Sequence, residues 1–446
     1  MTATSLEVAG LDDEGRGTGE VEGATWHVGG ALPGDRVRAT VEHRSPHRPE
    51  AWARLVALER PSVDRVAPVC PATGRCGGCP LGALRYEAQA AWKAARLERA
   101  LARVPGAPPP APFGAAPAPT GYRGSSKLVY GIATPGAWPT LGGYAPRSHA
   151  VVDLAGCKVV RPVLEAVRGA VLAVLRDARI EPHDEAAGAG DLAYVVLRAG
   201  ARDDVMVTLV GPDLDRLAAL GPAIAGAHAA IAGVAANRRP RGNAIFGGET
   251  RALVGATELV EAVGPVQVLL SPTAFFQVNR EVAARIYADL ADFVVPRAGG
   301  AVIDAYAGVG GIALTLAARG VADVTGLELN ADAVRDAVRA AARAGVGARF
   351  VAADAADGLL ARAAEGPIDA VVVNPPRRGL DGRMAAALGR ARPRLLAYVS
   401  CDPDTLARDL ERLSADGLRI ASVRGYDMHP QTPHVEALAL LERGLA

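Results

Sequence analysis

The sequence predicts an α/β protein in three parts: a small five-stranded β-barrel over residues 1–59, an α+β middle region over 60–265, and a doubly wound parallel sheet over 266–446. Three observations carry this reading. Short β segments with glycine turns, and no helical pattern, fill the first part. Strand-like and helical stretches mix in the second. From Asn279 onward helices and apolar strands alternate regularly to the end, the mark of a doubly wound sheet.

Composition narrows the function classes. Apolar residues make up 50% of the 446 residues, yet no run of eighteen of them occurs, so nothing is expected to span a membrane. The opening MTATSLEVAGLDDEG is acidic and lacks a signal peptide's apolar segment. The chain is read as soluble, cytoplasmic and monomeric. Its net charge of +1 hides an asymmetry: six arginines against ten acidic residues in 1–59, twelve Lys/Arg against four acidic residues in 60–160. If a polyanion binds, its footprint falls on the second segment.

Taken in order, SLEVAG, GTGEVEG, ATWHVGG, RVRATVE and AWARLVALE are the five barrel strands. Gly15, Gly17 and Gly19, and the stretch Leu32-Pro33-Gly34-Asp35, could be mistaken for phosphate loops. Neither precedes a helix, so both read as turns. Residues 60–83 are loop-like and hold three of the five cysteines. LRYEAQAAWKAARLERALARV (84–104) has helical spacing with a long polar face. The proline-rich run 105–119 reads as a semi-rigid spacer. GYRGSSKLVYGI and LGGYAPRSHAVVDL are hairpin strands, and a helix follows over about 161–179. LAYVVLRAG, DVMVTLVG and IAGVAANRR are strands, with a helix over about 213–225.

Cys70, Cys76 and Cys79 sit among Pro and Gly residues in a loop able to wrap a metal, and Cys157 lies downstream. Clustered thiols in a cytosolic chain point to metal rather than disulfides. Four thiolates suit zinc or an iron–sulfur cluster equally, and spacing does not choose.

The last part is built around AVIDAYAGVGGIA (301–313): an apolar strand ending in Asp304, a glycine-rich turn, then a helix. Glycine lets the backbone approach a ligand held over the strand's carboxyl end. The second strand, VTGLELN, ends in Glu328, a carboxylate suited to two ribose hydroxyls. The turn lacks the spacing of a dinucleotide fingerprint, and a later strand, AVVVN, runs into Asn374-Pro375-Pro376-Arg377. This combination resembles class I S-adenosylmethionine-dependent methyltransferases with a Rossmann-like domain. LLAYVSCDPDTLARDL sets Cys401 just past a buried strand, at the start of a helix whose N-terminus is expected to lower the thiol's pKa.

A closer resemblance covers nearly the whole chain. VCPATGRCGGCPLGALRYEAQAAWK (69–93) resembles the iron–sulfur segment of the bacterial uridine-5 RNA methyltransferases. It is most similar to their 23S ribosomal RNA branch, which carries a TRAM barrel and a 4Fe-4S cluster. The resemblance implies Cys70, Cys76, Cys79 and Cys157 as cluster ligands. SPTAFFQVN (271–279) matches the family's start of the catalytic domain, so Gln277, Tyr306, Glu328 and Asn374 inherit contacts to S-adenosylmethionine. Asp354 is a weaker match, toward the adenine amine.

Uracil carbon 5 needs activation by a thiolate at carbon 6, and the family implies Cys401 as that nucleophile. A base must then remove the carbon 5 proton; the match in DMHPQTPHVEALALLE is Glu436, with His434 as local rival. RNA is the implied partner, with Arg123 and Lys127 in the basic segment as contacts. Two departures stand out. Much of the family has aspartate where this chain has Asn374, which leaves the subfamily open, and the barrel is acidic. Transfer RNA is the alternative substrate. Base amino-group methylation is a further alternative, disfavoured because Arg377 stands where an aromatic residue usually follows Asn-Pro-Pro.

Overall fold

A computed structural model describes residues 3–242 and 244–444. The N-terminal strands are β1 (Thr4–Glu7), β2 (Gly10–Leu11), β3 (Gly17–Val21), β4 (Ala24–Val28), β5 (Arg36–Arg44) and β6 (Glu50–Arg60). They pair in the order β1-β5-β6-β4-β3-β2. Alternate residues turn inward, burying Leu6, Trp26, Val28, Val37, Ala39 and Ala51 in a core of their own. Where the sequence predicted five strands there are six among the described residues; the addition, β2, is a two-residue pairing with β3. Leu32 to Asp35 is the expected turn: Gly34 has φ +85°, and the Asp35 carboxylate accepts the Leu32 N–H at 2.7 Å.

Helix α1 (Tyr86–Leu101) and strand β7 (Ala111–Gly114) follow. The polar face foreseen for α1 is largely buried, with Gln89, Lys93 and Arg96 turned inward. The proline-rich run is not purely a spacer. Its β7 segment pairs in parallel at a sheet edge, where proline's missing N–H is tolerated.

The middle region holds β8 (Ser125–Gly131), β9 (Thr140–Tyr144), β10 (Val151–Asp153), α2 (Pro162–Asp177), β11 (Tyr194–Ala199), β12 (Val205–Gly211), α3 (Leu214–Ala218), α4 (Gly221–Gly226), β13 (Ile231–Arg238) and β14 (Thr250–Gly255). Its sheet runs β10-β9-β8-β11-β12-β13-β14. Leu128, Leu197, Val207 and Leu209 pack one face against Leu164, Val167 and Val171 of α2. The single helix expected over about 213–225 is two short ones.

A hairpin, β15 (Leu259–Val263) and β16 (Val266–Leu270), leads through α5 (Arg280–Val294) into the last sheet. There β17 (Ala301–Ala305), α6 (Gly311–Ala318), β18 (Val324–Glu328), α7 (Ala331–Ala344), β19 (Ala348–Ala352), α8 (Ala355–Glu365), β20 (Ile368–Val373), α9 (Gly382–Ala391), β21 (Leu395–Ser400), α10 (Pro403–Ala415), β22 (Leu418–Tyr426) and β23 (Glu436–Arg443) follow in turn. The order is β19-β18-β17-β20-β21-β23-β22-β7. Strands β17 to β21 are mutually parallel, and β23 pairs antiparallel to β21 and β22. Among the described residues, no helix is long and apolar enough to cross a membrane.

Candidate active site

Strand order in the last sheet reverses between β17 and β20, and ligands of such sheets sit beyond the strands' carboxyl ends at that point. Register sets three of the predicted donor-site residues side by side there. Ala305 pairs with Leu327 and with Val373, so the residues that follow, Tyr306, Glu328 and Asn374, line one edge. Tyr306 has φ +66°, a strained conformation costing about 1–3 kcal/mol for a non-glycine residue. Gly310 caps α6 at φ +83°, and a Cβ there would meet the Phe350 ring at 2.6 Å, so only glycine fits.

Glu328 is fixed by the backbone around it. Its Oε2 accepts the Gly308 N–H at 2.9 Å and its Oε1 the Asn330 N–H at 2.8 Å. Each oxygen keeps a lone pair for a ligand hydroxyl. Gln277 is half-buried in the loop before α5. The helix cap is Asn279, whose Oδ1 accepts the Val282 N–H. Asp354 caps α8 through the Ala356 and Asp357 N–H groups, which engages the weakest of the predicted contacts elsewhere.

Next along the sheet, Ser400 of β21 pairs with Ala437 of β23, and one step further sets Cys401 beside Glu436. Glu436 is 4% exposed, and burial pushes its carboxyl up to about 7. It opens strand β23. Burial, and then the Glu436 charge, push the Cys401 thiol up to about 11, while Arg377 pulls it down. This corrects the expected lowering. The α10 N-terminus is already engaged by its own cap, since the Asp402 carboxylate accepts the Thr405 N–H at 2.9 Å, and that carboxylate adds a further negative charge beside the thiol. Burial and the Arg377 cation hold His434 down at about 4, leaving it a weaker base than Glu436.

Two family models match the chain. Residues 302–392 match a methyltransferase domain, and 363–444 match tRNA (Uracil-5-)-methyltransferase. An RNA methyltransferase of Geobacter sulfurreducens is 34% identical over 449 residues, covering 99% of this chain and 90% of that protein. One from Thermosynechococcus vestitus is 34% identical over 444 residues, covering 98% and 97%. The solved Pyrococcus abyssi tRNA (uracil-54, C5)-methyltransferase, in complex with S-adenosyl-L-homocysteine, has TM-score 0.76 and 27% identity, covering 99% of this chain and 100% of that one.

This chain belongs to the class I RNA uracil methyltransferase family. It is an S-adenosylmethionine-dependent RNA methyltransferase.

Other parts of this methyltransferase bear on the site. Asp304, given no role from sequence, is fully buried under the glycine turn. Its Oδ2 accepts the Ala313 N–H at 3.0 Å, and burial pushes its carboxyl up to about 7. Tyr287 of α5 is also buried there, its phenol pushed up by burial and then by Asp304 and Glu436. Periodicity could not reveal either, because an apolar strand and an apolar helix face look alike whether or not they carry one buried polar group.

Cys70, Cys76, Cys79 and Cys157 are half-buried and free. Burial, then the fields of Cys157, Cys76 and Cys70, push the Cys79 thiol up to about 12. The four thiols are thus electrostatic neighbours, and a bound cation would relieve their mutual repulsion on ionising. Among the described residues, no three His, Cys, Asp or Glu side chains are gathered tightly enough to hold a metal ion. Lys127 is exposed near the Phe246 ring, whereas Arg123 is half-buried and donates from Nε to the Ser125 carbonyl at 3.0 Å.

Proposed function

We propose that this methyltransferase modifies carbon 5 of a uridine in RNA through a covalent adduct on Cys401, with Glu436 as base. One observation supports this above the rest: a thiol and a carboxyl held near neutrality stand side by side across β21 and β23. Carbon 5 of uracil is too weak a nucleophile to take a methyl group unaided. In this reading the Cys401 sulfur adds to carbon 6, and the displaced electron pair moves through carbon 5 onto the carbon 4 carbonyl as an enolate. Bound S-adenosylmethionine supplies the electrophilic methyl group. Glu436 then accepts the carbon 5 proton, the 5,6 double bond re-forms, and the thiolate leaves. Gln277, Tyr306, Glu328 and Asn374 hold the donor, with Glu328 on the ribose hydroxyls.

The substrate reading is 23S ribosomal RNA, supported by the cysteine-bearing segment. Transfer RNA is the second reading, favoured by the likeness to the Pyrococcus abyssi enzyme. Cys70, Cys76, Cys79 and Cys157 are the proposed ligands of a 4Fe-4S cluster, whose iron would take the four thiols as thiolates beside the proposed RNA contacts. Arg123 and Lys127 are proposed RNA contacts, residues 1–59 a TRAM-like barrel, and the enzyme a cytoplasmic monomer.

Mass-spectrometric mapping of 5-methyluridine in RNA from a deletion strain tests the reading. One methylated uridine should vanish from 23S RNA, return with the wild-type gene, and stay absent with Cys401→Ala. A loss confined to transfer RNA would move the substrate to the second reading. Unchanged 5-methyluridine in both would overturn the function.

A further inference from the structure

The loop from Asp427 to Val435, which delivers Glu436 to the site, has little structure of its own. The Thr432 hydroxyl and N–H turn back to the His429 carbonyl, and Gln431 adopts φ +71°. Most of its remaining polar groups are met by residues far away in sequence. Lys93 Nζ donates to Asp427 Oδ1 at 2.6 Å and to the His429 carbonyl at 3.0 Å. The Gln89 amide takes Gln431 at both ends: its Nε2 donates to Gln431 Oε1 at 3.0 Å, and its Oε1 accepts the Gln431 N–H at 2.9 Å. Arg96 Nη1 donates to the Pro433 carbonyl at 3.0 Å. The Leu81 N–H reaches the Gln431 carbonyl, and the Tyr122 hydroxyl the Pro430 carbonyl, both at 3.0 Å.

Gln89, Lys93 and Arg96 are spaced by four and three residues, so they form one stripe on α1. Lys93 and Asp427 are both 0% exposed, and a salt bridge so buried is poor value as a stabiliser, because desolvation offsets most of its attraction. What such a pair does supply is a fixed geometry. The five residues hold the loop along its length, ending two positions before Val435 and three before Glu436.

We propose that α1 is a clamp that positions the base: Gln89, Lys93 and Arg96 fix the 427–435 loop so that the Glu436 carboxylate meets the carbon 5 proton. The inference rests on the reading of Glu436 as base. Its consequence is step-specific. Cys401 lies between β21 and α10, outside the loop, so loosening the loop leaves addition and methyl transfer in place and slows proton removal.

The test uses the full-length enzyme, RNA substrate and methyl-labelled donor under single-turnover conditions. Lys93→Met paired with Asp427→Leu removes the ion pair without leaving an unpaired buried charge, which keeps the fold. Gln89→Leu is a second, independent variant, and Glu436→Gln is run beside them. Thermal unfolding checks that each is folded. In the clamp variants labelled RNA should form at close to the wild-type rate. Its release from the protein should slow by about 10²-fold, the loss expected when a catalytic group is misplaced by about 1 Å. A labelled RNA–protein adduct should therefore persist on a denaturing gel.

If Glu436→Gln stalls as an adduct while folded clamp variants release product at the wild-type rate, the clamp is refuted and the base assignment stands. The clamp is equally refuted if methyl transfer and release fall in the same proportion, which is what a merely structural role would give. If Glu436→Gln releases product freely, the base assignment fails and takes the clamp with it.

Discussion

Replacing Glu436 by glutamine keeps the shape of a buried side chain and removes the proton acceptor proposed for the reaction. Burial sets the wild-type carboxyl at about 7, so it is roughly three quarters ionised at pH 7.5 and about one tenth ionised at pH 6. The proton-removal step in the wild type should then slow by about eightfold between those pH values, as a base that must be ionised loses its charge. In Glu436→Gln the part of the pH dependence owed to this carboxyl should disappear, leaving that of the Cys401 thiol, and product release should drop by about 10²–10⁴-fold, the usual worth of a positioned general base. The first half of the reaction should survive. The Glu436 charge is one cause of the raised Cys401 thiol, so its removal eases thiolate formation. The variant should accumulate a methylated RNA–protein adduct, read on a denaturing gel with labelled donor. Full turnover at the wild-type rate, or an adduct that carries no methyl label, would refute the assignment.

Asp304 and Glu436 both have carboxyls raised by burial to about 7, so the folded state binds their protons more tightly than the unfolded chain does. Their contribution to stability is therefore full below about pH 4 and is lost as pH rises through 7, by at most about 3–4 kcal/mol each. Asp304→Asn should flatten the difference in urea midpoint between pH 5 and pH 8 relative to wild type; an unchanged slope would count against a neutral Asp304. Under anaerobic purification the wild type should be brown and contain iron, and Cys79→Ser should lose both, measured by absorbance and metal analysis; stoichiometric zinc without iron would overturn the cluster while sparing the enzyme. Lys127→Ala should weaken RNA binding and reduce its salt slope by about one, whereas deletion of residues 1–59 should matter less; the opposite pattern in a filter-binding titration would move the interface to the barrel.

Much of the site was legible because its chemistry sits where the chain changes period. An apolar strand ending in a glycine turn, an acidic residue closing the next strand, and Asn-Pro-Pro after a later one mark strand ends wherever they occur. Strand ends are where such a sheet binds its ligand. The parallel sheet itself was legible for a similar reason: β17, β20 and β21 are largely buried on both faces and read as mostly apolar runs, AVI, AVVV and LLAYV. The same logic misread the proline-rich run. Local propensity sees the missing N–H groups, while the edge position that makes β7 tolerable belongs to the sheet.

The sequence by itself determined which residue types were present at each strand end, and hence the candidate thiol, carboxyl and amide of the site. Only the tertiary structure decided their ionisation and their support. Cys401 follows a strand and opens a helix, which from sequence alone argues for a lowered thiol. Its raised value comes from burial and from Glu436, thirty-five positions away in sequence and adjacent across β21 and β23. The polar stripe of α1 looked like a solvent face, because a helix pattern records spacing and not what lies opposite. It is buried because the loop before Glu436 has too few bonds of its own and takes them from Gln89, Lys93 and Arg96. Desolvation and pairing depend on the whole surroundings of a group, and those exist only once the chain has folded.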